Sequence, residues 1–329
     1  MAPDKTQQYA SPGLPAIYLS AWYFNDRLRR GVLRFEALPE WARAHGFDGV
    51  EIMDRQLPNR KPAFLADFGK RCREVGCGVV LDCSSDLTHS EEEAWRAQIE
   101  YVEQSLTAAQ LLGAYQMRIL LGGQGWSFQK LFNRTRVRSS GGRSRGGVGA
   151  VLQRLVSSRW LARLAHAVRK RRPARVAQEE RKIGRAVAAL EQILPAAEAA
   201  HLPLVIENHW GISSRPENIL RVVEHFDSPW LGTCPDFDNF PNEVDRYEAL
   251  RRLAPRAQLV HAKSRTFNGR GEERHIDYRR CLRILRESGY AGTVTVEYDG
   301  PGDALAGCLR TRALILTHWP AQSVHLNNA

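Results

Sequence analysis

Four residues in the C-terminal half combine type and place in a way that bears on chemistry: Glu207, Asp236, His261 and Glu297. Each ends, or nearly ends, a short apolar run: LPLVIE, LGTCPD, AQLVHAK and TVTVEY. Taken singly, a carboxylate at such a place serves as a helix N-cap or loop contact, and His261 as a hydrogen-bonded core histidine. Taken together they point elsewhere. Three carboxylates converging in a partly buried place repel one another, and a bound cation removes that cost. Three hard oxygen donors plus one imidazole nitrogen suit Mn²⁺, Mg²⁺, Co²⁺ or Zn²⁺, and the oxygen bias favours Mn²⁺ or Mg²⁺. One divalent metal ion is therefore the expected cofactor.

For the four side chains to meet, their runs must be adjacent strands whose C-terminal ends lie on one side. The sequence supplies eight such runs: 16–21, 49–53, 78–82, 116–121, 202–207, 231–236, 257–263 and 293–298. They are near-continuous in Val, Ile and Leu, as strands covered on both faces are. Segments with helical spacing lie between them. Ser90 to Leu112 starts with Ser90 as N-cap and ends at Gly113, and Gln178 to Ala200 and Asp277 to Ser288 read similarly. Strand alternating with helix eight times predicts a (β/α)8 TIM barrel, a single unit over residues 16–320 after a polar tail over 1–15. The alternative is an open doubly wound sheet, but no G-x-G-x-x-G follows the first run.

One stretch breaks the repeat. Residues 123–175 are far longer than an ordinary strand-to-helix connection. They include RTRVRSSGGRSRGG (134–147), a flexible composition, and continue, from Val151 to Arg172, with Leu152, Leu155, Val156, Trp160, Leu164 and Val168 at helical spacing. This reads as a basic insertion after strand four carrying an amphipathic helix, either a solvated excursion or a lid, a docking surface for a partner subunit or second copy, or a binder of anionic surfaces. It also locates the net charge of +11: Arg118 to Lys182 holds 17 basic and 2 acidic residues, leaving 30 basic and 34 acidic elsewhere. The basic balance is thus a property of one segment. The six cysteines form no CxxC pair, the tail has no signal-peptide pattern, and no apolar run is long enough to span a membrane, so a cytoplasmic protein with reduced thiols is expected.

The segments IENHWGISS (206–214), LGTCPDFDNF (231–240), VHAKS (260–264) and GYAGTVTVEYDG (289–300) resemble the sugar phosphate isomerase/epimerase family, within the xylose isomerase-like TIM barrel superfamily. The resemblance runs from about Ala16 to Trp319, the insertion excepted. It implies a single metal ion held by Glu207, Asp236, His261 and Glu297, with the two glutamates as the acid/base pair on opposite faces of a sugar, keto-sugar or inosose. One would take a proton next to a carbonyl, through a metal-stabilised enediolate, and the other would return one. The endonuclease branch of the superfamily resembles a three-metal phosphodiesterase with further histidines. Here strand three ends in Asp82-Cys83-Ser84, strand four in Leu120-Leu121-Gly122, and Asn239 stands three residues after Asp236, which argues against nucleic acid as substrate.

Strand parity adds further candidates. Residues two apart share a face, so His209 follows Glu207 and Lys263 follows His261 toward the mouth, both placed to hydrogen-bond sugar hydroxyls or an oxyanion. Asn208, Asn239, Glu51, Arg118 and His275 are weaker candidates for substrate contact, and Trp22 and Trp126 could stack on a sugar face. Gly122-Gly123-Gln124-Gly125 is too short to define a phosphate cradle. The same base, metal and acid would also serve a lyase or hydrolase that cleaves 3-keto-glycosides by β-elimination. A non-catalytic partner-binding barrel is the third reading, disfavoured because scaffolding requires no ligand set.

Overall fold

Each of the eight apolar runs is a strand, almost wholly buried along its length: β1 Ala16–Ser20, β2 Gly49–Met53, β3 Gly78–Cys83, β4 Gln116–Ile119, β5 Leu204–Glu207, β6 Leu231–Cys234, β7 Leu259–Ser264 and β8 Thr293–Tyr298. The computed structural model of the chain describes residues 13–122 and 158–319. The ladders are all parallel, in the order β6-β5-β4-β3-β2-β1-β8-β7. The two ends of that order meet through single parallel bridges, Thr233↔Ala257 and Asp236↔His261, which bring the sheet round into a (β/α)8 barrel.

This last seam is irregular for a local reason. Pro235 has no N–H to give to a ladder, so β6 stops at Cys234, short of the Asp236 expected from the sequence. The Pro235 carbonyl accepts instead from the His261 N–H at 3.1 Å, and the Phe237 N–H donates to the His261 carbonyl at 3.1 Å. The seam therefore sets Asp236 directly beside His261.

The helices are α1 Asn25–Arg29, α2 Leu38–Ala44, α3 Pro62–Glu74, α4 Glu92–Leu112, α5 Ser158–Ala199, α6 Pro216–Phe226, α7 Arg246–Leu253, α8 Tyr278–Glu287 and α9 Ala304–His318. α4 ends where expected, at Gly113 with φ +67°, but its N-cap is Glu91 rather than Ser90, and no side chain bonds that end. Glu92 and Glu93 in the first turn still face the positive end of the helix dipole. α8 is capped by the Asp277 carboxylate, which accepts from the Arg280 N–H.

The insertion differs from expectation where it can be followed. Residues 123–157, and with them Trp126, lie outside the described residues. From Ser158 one helix of 42 residues runs to Ala199. The basic helix expected to end at Arg172 and the barrel helix expected from Gln178 are thus one element, roughly 63 Å long at 1.5 Å per residue. Its C-terminal half buries Ile183, Ala186, Ala189, Leu190, Ile193 and Ala197, an apolar stripe at helical spacing.

Most of the core lies between sheet and helices. A smaller cluster, Ala16, Tyr18, Val80, Val205, Cys234 and Leu259, fills the barrel interior. Gly49 and Gly78 are required there, because a Cβ at either would collide with the Tyr18 ring. All six cysteines are buried free thiols. Among the described residues, no helix is long and apolar enough to cross a membrane.

Candidate metal centre

At the C-terminal ends of β5 to β8 the side chains converge as parity requires. Glu207, Asp236 and His261 are buried and each offers one ligand atom, all within 4.8 Å of one another. Glu297 adjoins them, with Oε1 3.6 Å from His261 Nδ1. Each is held from several elements. The Asp236 Oδ1 accepts the backbone N–H groups of Asp238 at 2.6 Å and Asn239 at 2.9 Å, so the residues just past Pro235 turn about this carboxylate. Glu207 Oε1 accepts from Asn239 Nδ2 at 2.9 Å and lies 3.2 Å from His261 Nδ1.

Asn208, wholly buried, performs a backbone's task with a side chain. Its Oδ1 accepts the Asp236 N–H at 2.6 Å and its Nδ2 donates to the Asp236 carbonyl at 3.1 Å. The β5–β6 ladder ends at the pair Glu207↔Cys234. The Asn208 amide continues it beyond Pro235, where no peptide of β5 does.

Register places two ion pairs at this layer. Lys263 and Glu297 are partners between β7 and β8, and Lys263 Nζ lies 3.0 Å from Glu297 Oε2 and 3.0 Å from Asp236 Oδ2. Lys263 also donates to Asn239 Oδ1 at 2.9 Å. Asp82 and Arg118 are partners between β3 and β4, and the buried guanidinium bonds Asp82 while standing 3.2 Å from Glu207 Oε2. From β2, Glu51 places both oxygens on His261 Nε2, at 3.0 and 3.1 Å.

Charge decides what such a site can hold. Burial raises the Asp82 carboxyl to about 8 despite Arg118, so Glu51, Glu207, Asp236 and Glu297 face two permanent cations, Lys263 and Arg118. Burial raises the Asp236 carboxyl to about 6 against the pull of Lys263. Burial would raise Glu207 as well, but the nearby cations, Arg118 foremost, hold it well below the usual carboxylate range. Burial would lower His261, yet Cys234 and the surrounding carboxylates outweigh it and hold the imidazole well above its ordinary value. Buried Glu207 Oε2 and Asp236 Oδ2 accept no well-aligned hydrogen bond, each facing only an ion-pair partner, Arg118 at 3.2 Å and Lys263 at 3.0 Å. Excess negative charge, two carboxylate oxygens without hydrogen bonds and an imidazole nitrogen within reach together fit a divalent cation.

The remaining expected residues are distributed as follows. His209 is half-buried with its ring edge on Trp210, 4.3 Å between centroids, and burial pushes its imidazole down to about 4, so it is neutral at pH 7. Trp22 is 38% exposed on the turn after β1. His275 is exposed on the loop after β7, its N–H bonded to the buried Glu273 carboxylate, which also accepts from Arg265, Thr266 and Ile276. Two residues that sequence reasoning did not single out belong to the site. The Tyr23 hydroxyl donates to Glu297 Oε2 at 3.1 Å; it stands on a 3-10 turn after β1, where strand parity no longer applies. Asp82 had a readable signal, an acid at the C-terminal end of a strand; Arg118, expected as a substrate contact, is its ion-pair partner.

The folded chain is similar to several solved structures, at identities that speak to fold alone. An L-ribulose 3-epimerase aligns with TM-score 0.64 at 18% identity, covering 93% of this chain and 95% of that one. A D-psicose 3-epimerase from Clostridium cellulolyticum H10 aligns with TM-score 0.63 at 11% identity, covering 92% and 98%. A 3-keto-D-glucoside 4-epimerase from E. coli aligns with TM-score 0.60 at 14% identity, covering 92% and 99%. No curated protein matches the chain. The family model of the xylose isomerase-like TIM barrel matches residues 39–145 and 147–314, so by sequence and by architecture the chain belongs to that family.

Proposed function

We propose that the chain is a divalent-metal-dependent sugar isomerase or epimerase that moves a proton next to a carbonyl of a keto-sugar or inosose. The observation that carries this reading is the buried convergence of Glu207, Asp236, His261 and Glu297 at the mouth of the barrel, with more negative charge than its own cations offset. Those four residues would hold the ion, Mn²⁺ by preference from the oxygen-rich set. The chemistry such an ion supplies is Lewis-acid stabilisation of charge on carbonyl and hydroxyl oxygens. Similarity to sugar 3-epimerases and a 3-keto-D-glucoside 4-epimerase supports the substrate class.

The chain's own residues prepare proton transfer at two carboxylates. Glu207 and Glu297 stand on β5 and β8, on either side of His261. Asn239 orients Glu207, while Tyr23 and Lys263 both reach Glu297 Oε2. Burial raises Glu297, but Lys263 and His261 outweigh it and keep the carboxyl below its ordinary value, ionised and able to accept a proton. Neutral His209 and exposed Trp22 would meet a hydroxyl and a sugar face.

The test is proton exchange followed by NMR. The Mg²⁺-loaded protein is incubated in D₂O with keto-sugars, inososes and 3-keto-glycosides. Metal-dependent deuterium uptake next to a carbonyl, lost in Glu207→Gln, is expected. An isomer as product fits the proposal, whereas an eliminated aglycone would replace it with a lyase. No exchange from any substrate, with metal bound, would sink the enzyme reading.

A further inference from the structure

We infer that Glu51 is a positioning residue: its carboxylate, reaching from β2, fixes His261 so that Nδ1 is the nitrogen offered to the metal ion. This rests on the metal site proposed above. Glu51 is 2% exposed and stands 210 residues before His261, three strands away round the barrel. Both of its oxygens lie on Nε2, at 3.0 and 3.1 Å. An ionised carboxylate only accepts hydrogen bonds, so it requires the ring proton on Nε2. A neutral imidazole has one N–H, and the lone pair then resides on Nδ1.

Nδ1 faces Glu207 Oε1 at 3.2 Å and Glu297 Oε1 at 3.6 Å. A lone pair set against two carboxylate oxygens is repulsive in a buried site unless a cation joins them. A neutral ring held by Glu51 thus fits an occupied metal site, whereas without a cation Nδ1 keeps a proton of its own to meet Glu207 and Glu297. The arrangement is the carboxylate–histidine–metal relay, in which the outer carboxylate sets the tautomer and raises the basicity of the ligating nitrogen. The hydrogen bonds to Nε2 engage both Glu51 oxygens, so Glu51 acts through the imidazole and not on a substrate.

In Glu51→Gln the amide can turn either its oxygen or its NH₂ toward Nε2, so the preference for one tautomer is lost while volume is kept. Mn²⁺ affinity, read from the free-ion EPR signal without any turnover, is expected to fall by about 10- to 100-fold. A change of less than about twofold would overturn the assignment. The second measurement needs no variant. Nitrogen-15 NMR of the Zn²⁺-loaded wild-type protein should show His261 protonated at Nε2, and a protonated Nδ1 would refute the proposal even if Glu51→Gln folds poorly. Failure of wild type to bind Mn²⁺ would remove the metal site itself. Tight binding in wild type and Glu51→Gln alike would remove only the role of Glu51.

Discussion

The Asn208 amide offers the sharpest quantitative test of how the centre is built. It satisfies the N–H and the C=O of Asp236, at 2.6 and 3.1 Å, in a place with no exposed surface. Asn208→Ala removes both partners at once. An unsatisfied buried polar group costs about 1–3 kcal/mol, so two cost about 2–6 kcal/mol. For a chain of this size each kcal/mol lowers Tm by a few degrees, which gives a loss on the order of 5–20 °C. The melting curve should be recorded by circular dichroism in EDTA, so that stability is read apart from metal binding. Asn208→Asp keeps the acceptor for the Asp236 N–H but loses the donor to its carbonyl and adds a negative charge beside Glu207. It should therefore also be destabilised. An Asn208→Ala protein melting within about 2 °C of wild type would refute the claim that this side chain substitutes for a missing ladder peptide.

Three further outcomes follow from the same geometry. Glu207→Gln and Glu297→Gln should each reduce deuterium exchange by about 10²- to 10⁴-fold with the circular dichroism spectrum unchanged, and retained exchange in both would end the acid/base assignment. Because Cys234 and its carboxylate neighbours hold His261 well above its ordinary value in the metal-free protein, metal binding must displace a proton from the ring. Affinity should fall as pH falls, by about tenfold per pH unit, and more steeply below about 6, where Asp236 also takes up a proton. A Mn²⁺ affinity constant from pH 6 to 8 would contradict that reading. Deleting residues 134–172 should leave Mn²⁺ affinity unchanged, since every proposed ligand comes from β5, β7, β8 or the turn after β6; loss of binding would show that the insertion helps to build the site.

The sequence by itself determined the strands, their number and the layer of the site. Valine- and isoleucine-rich runs can only be buried on both faces. Eight such runs alternating with helices close into a barrel, and parity then sends Glu207, His261 and Lys263 inward. Local steric rules were legible too, although Pro235 shortened β6 more than its apolar pattern indicated. What spacing along one strand cannot encode is the partner across the barrel. That Glu51 meets His261, that Tyr23 reaches Glu297 over 274 residues, that Asn208 completes the turn at Asp236, and that Lys263 stands between Asp236 and Glu297 all follow from closure and register. The same holds for α5, where the basic segment and the barrel helix join into one element. Period-2 and period-3.6 patterns report which face is buried. Only the closed barrel decides which buried charges stand at the same height, and so which of them a cation must neutralise.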